Sequence, residues 1–160
     1  MISKATIEEA ALRIKPHVHR TPVLSSQSID KICSAEIFFK AENLQKAGAF
    51  KSRGAVNAVF SLDIREASRG VCTHSSGNHA QALARAAALR GIPAYIVMPR
   101  TAPRVKVDAV KEYGGQVTFC EPTLESREST LEEIRQSTGA IFIHPYDDFR
   151  IIAGQATTAL

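Results

Sequence analysis

Lys51 stands between an aromatic ring and an arginine in the run Gly48-Ala49-Phe50-Lys51-Ser52-Arg53-Gly54. A free lysine amine is protonated at neutral pH and is a poor nucleophile. Apolar surroundings or a second cation lower its pKa, and it can then condense with an aldehyde. Phe50 and Arg53 are residue types that would act on Lys51 in these two ways. The plainer alternative is a lysine on the wet face of a helix. Further on, Ser75-Ser76-Gly77-Asn78-His79 follows an apolar run and opens an alanine-rich one. A strand that turns into a helix leaves backbone N–H groups unpaired, and the helix dipole favours an anion there. Gly77 would let a ligand approach the backbone closely. The plainer alternative is a capped helix, with Ser76 or Asn78 as the cap. Capping and anion binding are compatible.

Other chemistries find less support. Ser76 lacks the G-x-S-x-G pattern of a hydrolase elbow. No G-x-G-x-x-G or P-loop is present. His17-Val18-His19 would set two rings on one side of an extended segment, but no acid or cysteine nearby completes a metal site, so both read as surface histidines. Asp147-Asp148 reads as a helix start. Cys33, Cys72 and Cys120 are scattered. Cys72 and Cys120 sit in apolar runs, as buried thiols in a reducing compartment would. Lys plus Arg total 20 against 16 for Asp plus Glu, an excess too mild and dispersed for nucleic acid. It suits small anions in one cleft. With no signal pattern and no apolar run near the ~20 residues of a membrane helix, the expectation is a cytoplasmic chain with no membrane partner.

The elements that must position these residues alternate. Thr6 and Glu9 read as a capping box opening a helix that Pro16 ends. Thr21 to Leu24 is extended because residues before proline avoid the helical region. Ile37 to Ala41 is a short strand, and Phe50 to about Leu62 a helix. From residue 70 the rhythm is regular. Strand Val71–Thr73, helix Asn78–Arg90, strand Ala94–Met98 and helix Pro103–Tyr113 come first. Strand Gln116–Cys120, a helix near Leu124–Thr138 and strand Ala140–Ile143 follow. Pro103 fits a first helical turn. Such alternation predicts a parallel sheet in an α/β fold. The earlier elements do not join that rhythm and read as part of a second domain. Ile151 to Leu160 starts an apolar helix whose face is expected to lack a partner.

At this point the chain resembles the fold-type II pyridoxal-phosphate enzymes of the serine racemase and serine/threonine dehydratase family. The resemblance runs from about Thr6 to the last residue. It is carried by Phe39-Lys40-Ala41-Glu42-Asn43, by Gly48 to Ala55 and by Thr73-His74-Ser75-Ser76-Gly77-Asn78-His79-Ala80-Gln81-Ala82-Leu83-Ala84. Gly91 to Pro99 and Ile152-Ala153-Gly154-Gln155 support it. It implies a three-layer parallel-sheet fold with the small domain complete and the larger cofactor domain only partly present. In that scheme residues 1–68 begin the large domain, 69–147 form the small one, and 148–160 start the return. It implies that Lys51 forms the imine with pyridoxal 5′-phosphate and acts as base on one face of the substrate Cα, with Ser76 on the other. Phe50 would pack near the cofactor ring and Asn78 would bond its phenolic oxygen. Ser75, Ser76, Gly77, His79 and Arg127 would bind the substrate. The implied reaction is dehydration (an ammonia-lyase) or racemisation of L-serine or L-threonine.

Three departures qualify the resemblance. Ala47 and Ala49 replace hydroxyl residues of animal serine racemases, whereas related microbial dehydratases, including those acting on hydroxyaspartate, also carry alanine at the position of Ala49, before the phenylalanine. Of the family's nucleotide positions only Ser26 and Lys46 match, so this chain does not support ATP activation. Ala156 replaces a usual glycine. Family members run to roughly twice this length by two-domain logic. Absent are a phosphate cradle, the group facing the pyridine nitrogen and the carboxylates that would hold magnesium. The expectation is a truncated form, inactive alone, with homodimers common in the family. The rival readings are a threo-3-hydroxyaspartate dehydratase and a non-catalytic fragment that binds a partner or small anion.

Overall fold

The computed structural model describes all of residues 1–160. The chain runs α1 (Lys4–Ile14), β1 (Val23–Leu24), α2 (Gln27–Cys33) and β2 (Phe39–Lys40), then two 3-10 turns and α3 (Lys51–Ser61). Next come α4 (Ile64–Ser68), β3 (Val71–His74), α5 (Asn78–Arg90), β4 (Ala94–Pro99) and α6 (Arg104–Glu112). β5 (Gln116–Cys120), α7 (Leu124–Thr138), β6 (Ile141–Phe142), α8 (Phe149–Ala156) and a third 3-10 turn (Thr157–Ala159) follow.

β1 and β2 form a small antiparallel pair. The other strands form one parallel sheet in the order β5-β4-β3-β6. Alternate side chains of a strand face opposite sides, and both sides are covered. Val71, Ile96 and Met98 enter a large core with residues of α3 and α5, including Ala55, Val56, Val59 and Leu83. Cys72, Val97 and Cys120 join Leu131 of α7 and Ala140 on the other side. Helix, sheet and helix thus make the three layers expected of a parallel α/β fold. The core face of α5 is built largely of alanine: Ala80, Ala84, Ala86 and Ala87 are fully buried. Small side chains on that face let α5 lie close to its neighbours.

Several local expectations are corrected. Ser3, not Thr6, caps α1: its side chain accepts from the Thr6 N–H at 3.2 Å. Pro103 is the residue before α6 rather than inside its first turn, with an extended ψ of 130°. α2 and α4 carry no strong periodicity. α4 is set by Asp63 and Glu66, which close a capping box. Nor does the last helix lack a partner. α8 buries Ile151, Ala153 and Gly154. It crosses α3 so closely that a Cβ on Gly154 would lie 2.6 Å from the Gly54 Cα. Gln155 Oε1 accepts from the Gly54 N–H at 3.2 Å, and Asn57 Nδ2 donates to the Arg150 carbonyl at 2.7 Å.

Candidate active site

Lys51 is the first residue of α3. Just before it, Ala47 and Gly48 both take left-handed backbone (φ 54° and 66°), which glycine tolerates and alanine does not favour. That reversal carries the chain into α3. Gln45, buried, holds the approach: its side-chain oxygen accepts from the N–H groups of His19 and Lys46, and its Nε2 donates to the His19 carbonyl. The Ser52 hydroxyl donates to the Lys46 carbonyl.

Burial holds the Lys51 amine below the ordinary lysine value, because a low-dielectric setting penalises the charged form. Lys51 Nζ lies 5.2 Å from the centre of the Phe50 ring and donates to the Pro145 carbonyl at 2.8 Å. It opens on a cleft of about 500 Å3 whose other walls include Phe50, Tyr146, Ile151, Ile152 and Gln155. Arg53, expected to act as the second cation, does not face it. Arg53 is buried and bound to Glu42 through two contacts, Nε to Oε2 at 2.8 Å and Nη2 to Oε1 at 2.7 Å. Desolvation alone therefore tunes Lys51.

The loop from β3 to α5 does not line that cleft; its link to Lys51 is through His79, which feels the charge of the lysine. Its Ser75 N–H extends the sheet ladder by donating to the Val97 carbonyl at 3.1 Å. The Ser75 hydroxyl accepts from the Gly77 N–H at 3.3 Å. Gly77, not Ser76 or Asn78, is the residue before α5, and no side chain caps the helix. The first N–H groups of α5 therefore keep their bonding capacity. A Cβ built on Gly77 would meet nothing within 4 Å, so open space lies against this backbone. Asn78 Oδ1 accepts from Lys106 Nζ at 2.8 Å.

His79 is buried at 3% exposure. Its Nε2 lies 3.3 Å from the Ile143 carbonyl, while Nδ1 is buried without a partner. A carbonyl only accepts, so Nε2 carries the proton and Nδ1 is a bare acceptor. Burial, opposed by the bond to Ile143 and aided by the charge of Lys51, pushes its pKa down to about 4. It is neutral at pH 7. Lys51 and His79 thus grip the same segment, at Pro145 and Ile143.

A chain of rings runs beside that segment, of which the motifs read from the sequence include only His74. His74 stacks on Phe142 (5.8 Å), Phe142 meets His144 edge-on (5.6 Å), and His144 meets Tyr146 (4.4 Å). These rings line the carboxyl end of β3 and β6, where open α/β sheets place ligands. Arg127 lies on α7 with its Nε buried and unpartnered. Its charge helps keep the His74 pKa low, after burial and His144. No hydrogen bond joins Arg127 to Lys51 or to the Ser75–His79 loop. Ser26 precedes α2 without capping it and shares no hydrogen bond with Lys46. His17 packs against Phe60 with ring centres 4.3 Å apart and planes tilted by 33°, and is partly buried, so it is less of a surface residue than expected.

Comparison with known proteins shows what the chain is similar to. Residues 14–160 match the family described as pyridoxal-phosphate dependent enzyme. A serine racemase of Oryza sativa subsp. indica is 58% identical over 155 residues, covering 97% of this chain and 46% of that protein. A beta-hydroxyaspartate dehydratase of Paracoccus denitrificans is 56% identical over 147 residues, covering 92% and 47%. The crystal structure of a serine racemase from Dictyostelium discoideum superposes with a TM-score of 0.95 at 47% identity, covering 99% of this chain and 52% of that one. The chain spans about half the length of the curated relatives it matches.

Proposed function

This chain belongs to the pyridoxal-phosphate dependent enzyme family, and from that premise we propose that it carries the lysine-bearing half of a site that dehydrates or racemises L-serine or L-threonine. The observation that carries the reading is Lys51: an amine with its pKa lowered by burial, beside an aromatic ring, opening on a cleft. The residues fit the reacting end of pyridoxal phosphate. Its aldehyde needs such an amine, its ring an apolar neighbour, and its phenolic oxygen a donor. Lys51, Phe50 and the unbonded Nδ2 of Asn78 have those properties. When bound, the cofactor supplies the electron sink that acidifies the substrate Cα–H.

The chain's own groups do the rest. Lys51 moves the proton on one face of Cα, and the family pattern assigns Ser76 to the other. The uncapped α5 N-terminus, with Ser75, Ser76 and Gly77, holds the substrate carboxylate through N–H and hydroxyl donors. His79, neutral and anchored on Ile143, sets the first turn of α5 under that carboxylate. Arg127 borders the substrate end of the sheet. Loss of the β-hydroxyl gives elimination, whereas protonation from Ser76 gives inversion, so one residue set serves both outcomes. Residues 69–147 act as the small domain, and a homodimer is the assembly assigned to the whole protein.

A second substrate reading is supported by Ala49 and by the 56% identical beta-hydroxyaspartate dehydratase. It is a 3-hydroxy amino acid bearing a second carboxylate. The test of the site is chemical. Incubation with pyridoxal phosphate, borohydride reduction and peptide mapping should leave the pyridoxyl mass on Lys51 and remove it in Lys51→Ala. Label spread over surface lysines in both proteins refutes the assignment.

A further inference from the structure

We propose that Lys106 is a positioning residue for the cofactor site: it fixes the Asn78 side-chain amide so that its two N–H donors are left for the ligand. This rests on the reading of Asn78 as the partner of the cofactor's phenolic oxygen. Lys106 belongs to α6, a different element from the one that carries Asn78.

α6 is held against the core by Val107 and Val110, both buried. Lys106 sits next to Val107, and its own N–H donates to the Pro103 carbonyl at 2.9 Å, which fixes its backbone. Its ammonium then reaches the start of α5 and donates to Asn78 Oδ1 at 2.8 Å. An ammonium has donors and no acceptor. Only the amide oxygen can face it, because a flipped amide would set NH2 against NH3+ and exchange a charge-assisted bond for repulsion. The orientation of Asn78 is therefore dictated from α6. No protein group accepts from Asn78 Nδ2.

Two consequences follow for a bound pyridoxal. A donor already polarised by an ammonium on its carbonyl makes a stronger N–H bond, since linked hydrogen bonds reinforce one another. An N–H donor to the phenolic oxygen also favours its anionic, visible-absorbing form over the neutral, near-ultraviolet one. Lys106 should thus affect both affinity and colour while touching the cofactor at no point.

The test uses the 160-residue chain titrated with pyridoxal phosphate by absorbance, with far-ultraviolet circular dichroism as a folding check. Lys51→Ala defines the lysine-dependent band. Lys106→Met should weaken binding by a few-fold, less than the roughly tenfold scale of a whole charge-assisted hydrogen bond because only its reinforcement of Asn78 is lost, and lower the visible-to-near-ultraviolet ratio. Lys106→Arg, also donor-only, should restore the ratio. In an Asn78→Ala background Lys106→Met should change nothing further, because its route runs through the amide. In the unloaded chain, the Asn78 side-chain NH2 resonances should move in Lys106→Met. A Lys51-dependent band whose ratio ignores Lys106→Met overturns this proposal alone, as does an equal fall in the Asn78→Ala background. A folded wild-type chain with no Lys51-dependent band overturns the cofactor reading and this proposal together.

Discussion

Acid should loosen this fold through His79 before any carboxylate is titrated. The imidazole is 3% exposed and has its pKa pushed down to about 4 from an ordinary 6.5, chiefly by burial. Above the ordinary value both folded and unfolded chains hold it neutral, so it imposes no penalty there. As pH falls through that value the unfolded chain takes up a proton that the folded chain refuses, and stability is lost. The loss stops growing below about pH 4, where it reaches roughly 3 kcal/mol; by about pH 5 it amounts to ~2 kcal/mol. With an m-value of about 1–3 kcal/mol per molar, the urea midpoint should drop by roughly 1 M between about pH 7.5 and pH 5. His79→Gln isolates the effect, because glutamine can still donate to the Ile143 carbonyl but does not titrate. That variant should lose most of the midpoint's pH dependence over this window. Some slope remains from His74, whose pKa is also lowered by burial. Glu42 and Asp148 act at lower pH. Burial raises both, but hydrogen bonds from Arg53 and Arg150 outweigh it and hold them below the usual carboxylate values. A His79→Gln midpoint that falls as steeply as the wild type would refute the reasoning.

Two further outcomes test the packing. Gly154→Ala adds a Cβ that would lie 2.6 Å from the Gly54 Cα and 2.8 Å from the Arg53 carbonyl oxygen, both backbone atoms that cannot step aside. The helix-propensity gain of about 1 kcal/mol is smaller than an overpacking cost of ~1–3 kcal/mol, so the urea midpoint should fall; an unchanged or raised midpoint would contradict the close α3–α8 crossing. Thiol reagents should label exposed Cys33 in the native chain and spare Cys72, whose pKa burial pushes up to about 12. Mass mapping with and without urea checks this, and native labelling of Cys72 would contradict the sheet's second core.

The parallel half of the fold was legible because its signals are local and strong. The alanine run of α5 begins and ends where composition places it, between Asn78 and a Gly91 that adopts left-handed backbone. The strands Ala94–Pro99 and Gln116–Cys120 are apolar segments bounded by Gly and Pro. α2 and α4 were missed for the opposite reason. Each is short: α2 buries no residue and α4 only Ala67, so no apolar stripe announces them. α1 was shifted because two Thr/Ser caps compete there, and only Ser3 stands where the backbone is still extended. The last helix looked unpartnered because its partner, α3, lies about a hundred positions earlier. Gly54 and Gly154 reveal the contact only when the two helices are seen crossed.

The site divides along the same line. Lys51 and the Ser75–His79 loop can be proposed from sequence because each is a contiguous run whose chemistry is carried by neighbours in sequence. What tunes them comes from elsewhere in the chain. Arg53, adjacent in sequence, turns away to Glu42, while the groups that touch Lys51 and His79 are the carbonyls of Pro145 and Ile143. A carbonyl has no side-chain identity for a sequence to display. Lys106 likewise reaches Asn78 across two helices, and nothing in Arg104-Val105-Lys106-Val107 separates it from any solvated lysine. The proposed nucleophile and anion loop can therefore be named from residue types, whereas the state in which each is held depends on distant backbone. Burial, rather than a neighbouring charge, lowers the Lys51 pKa. Its apparent pKa should accordingly respond to what buries it more than to any change at Arg53.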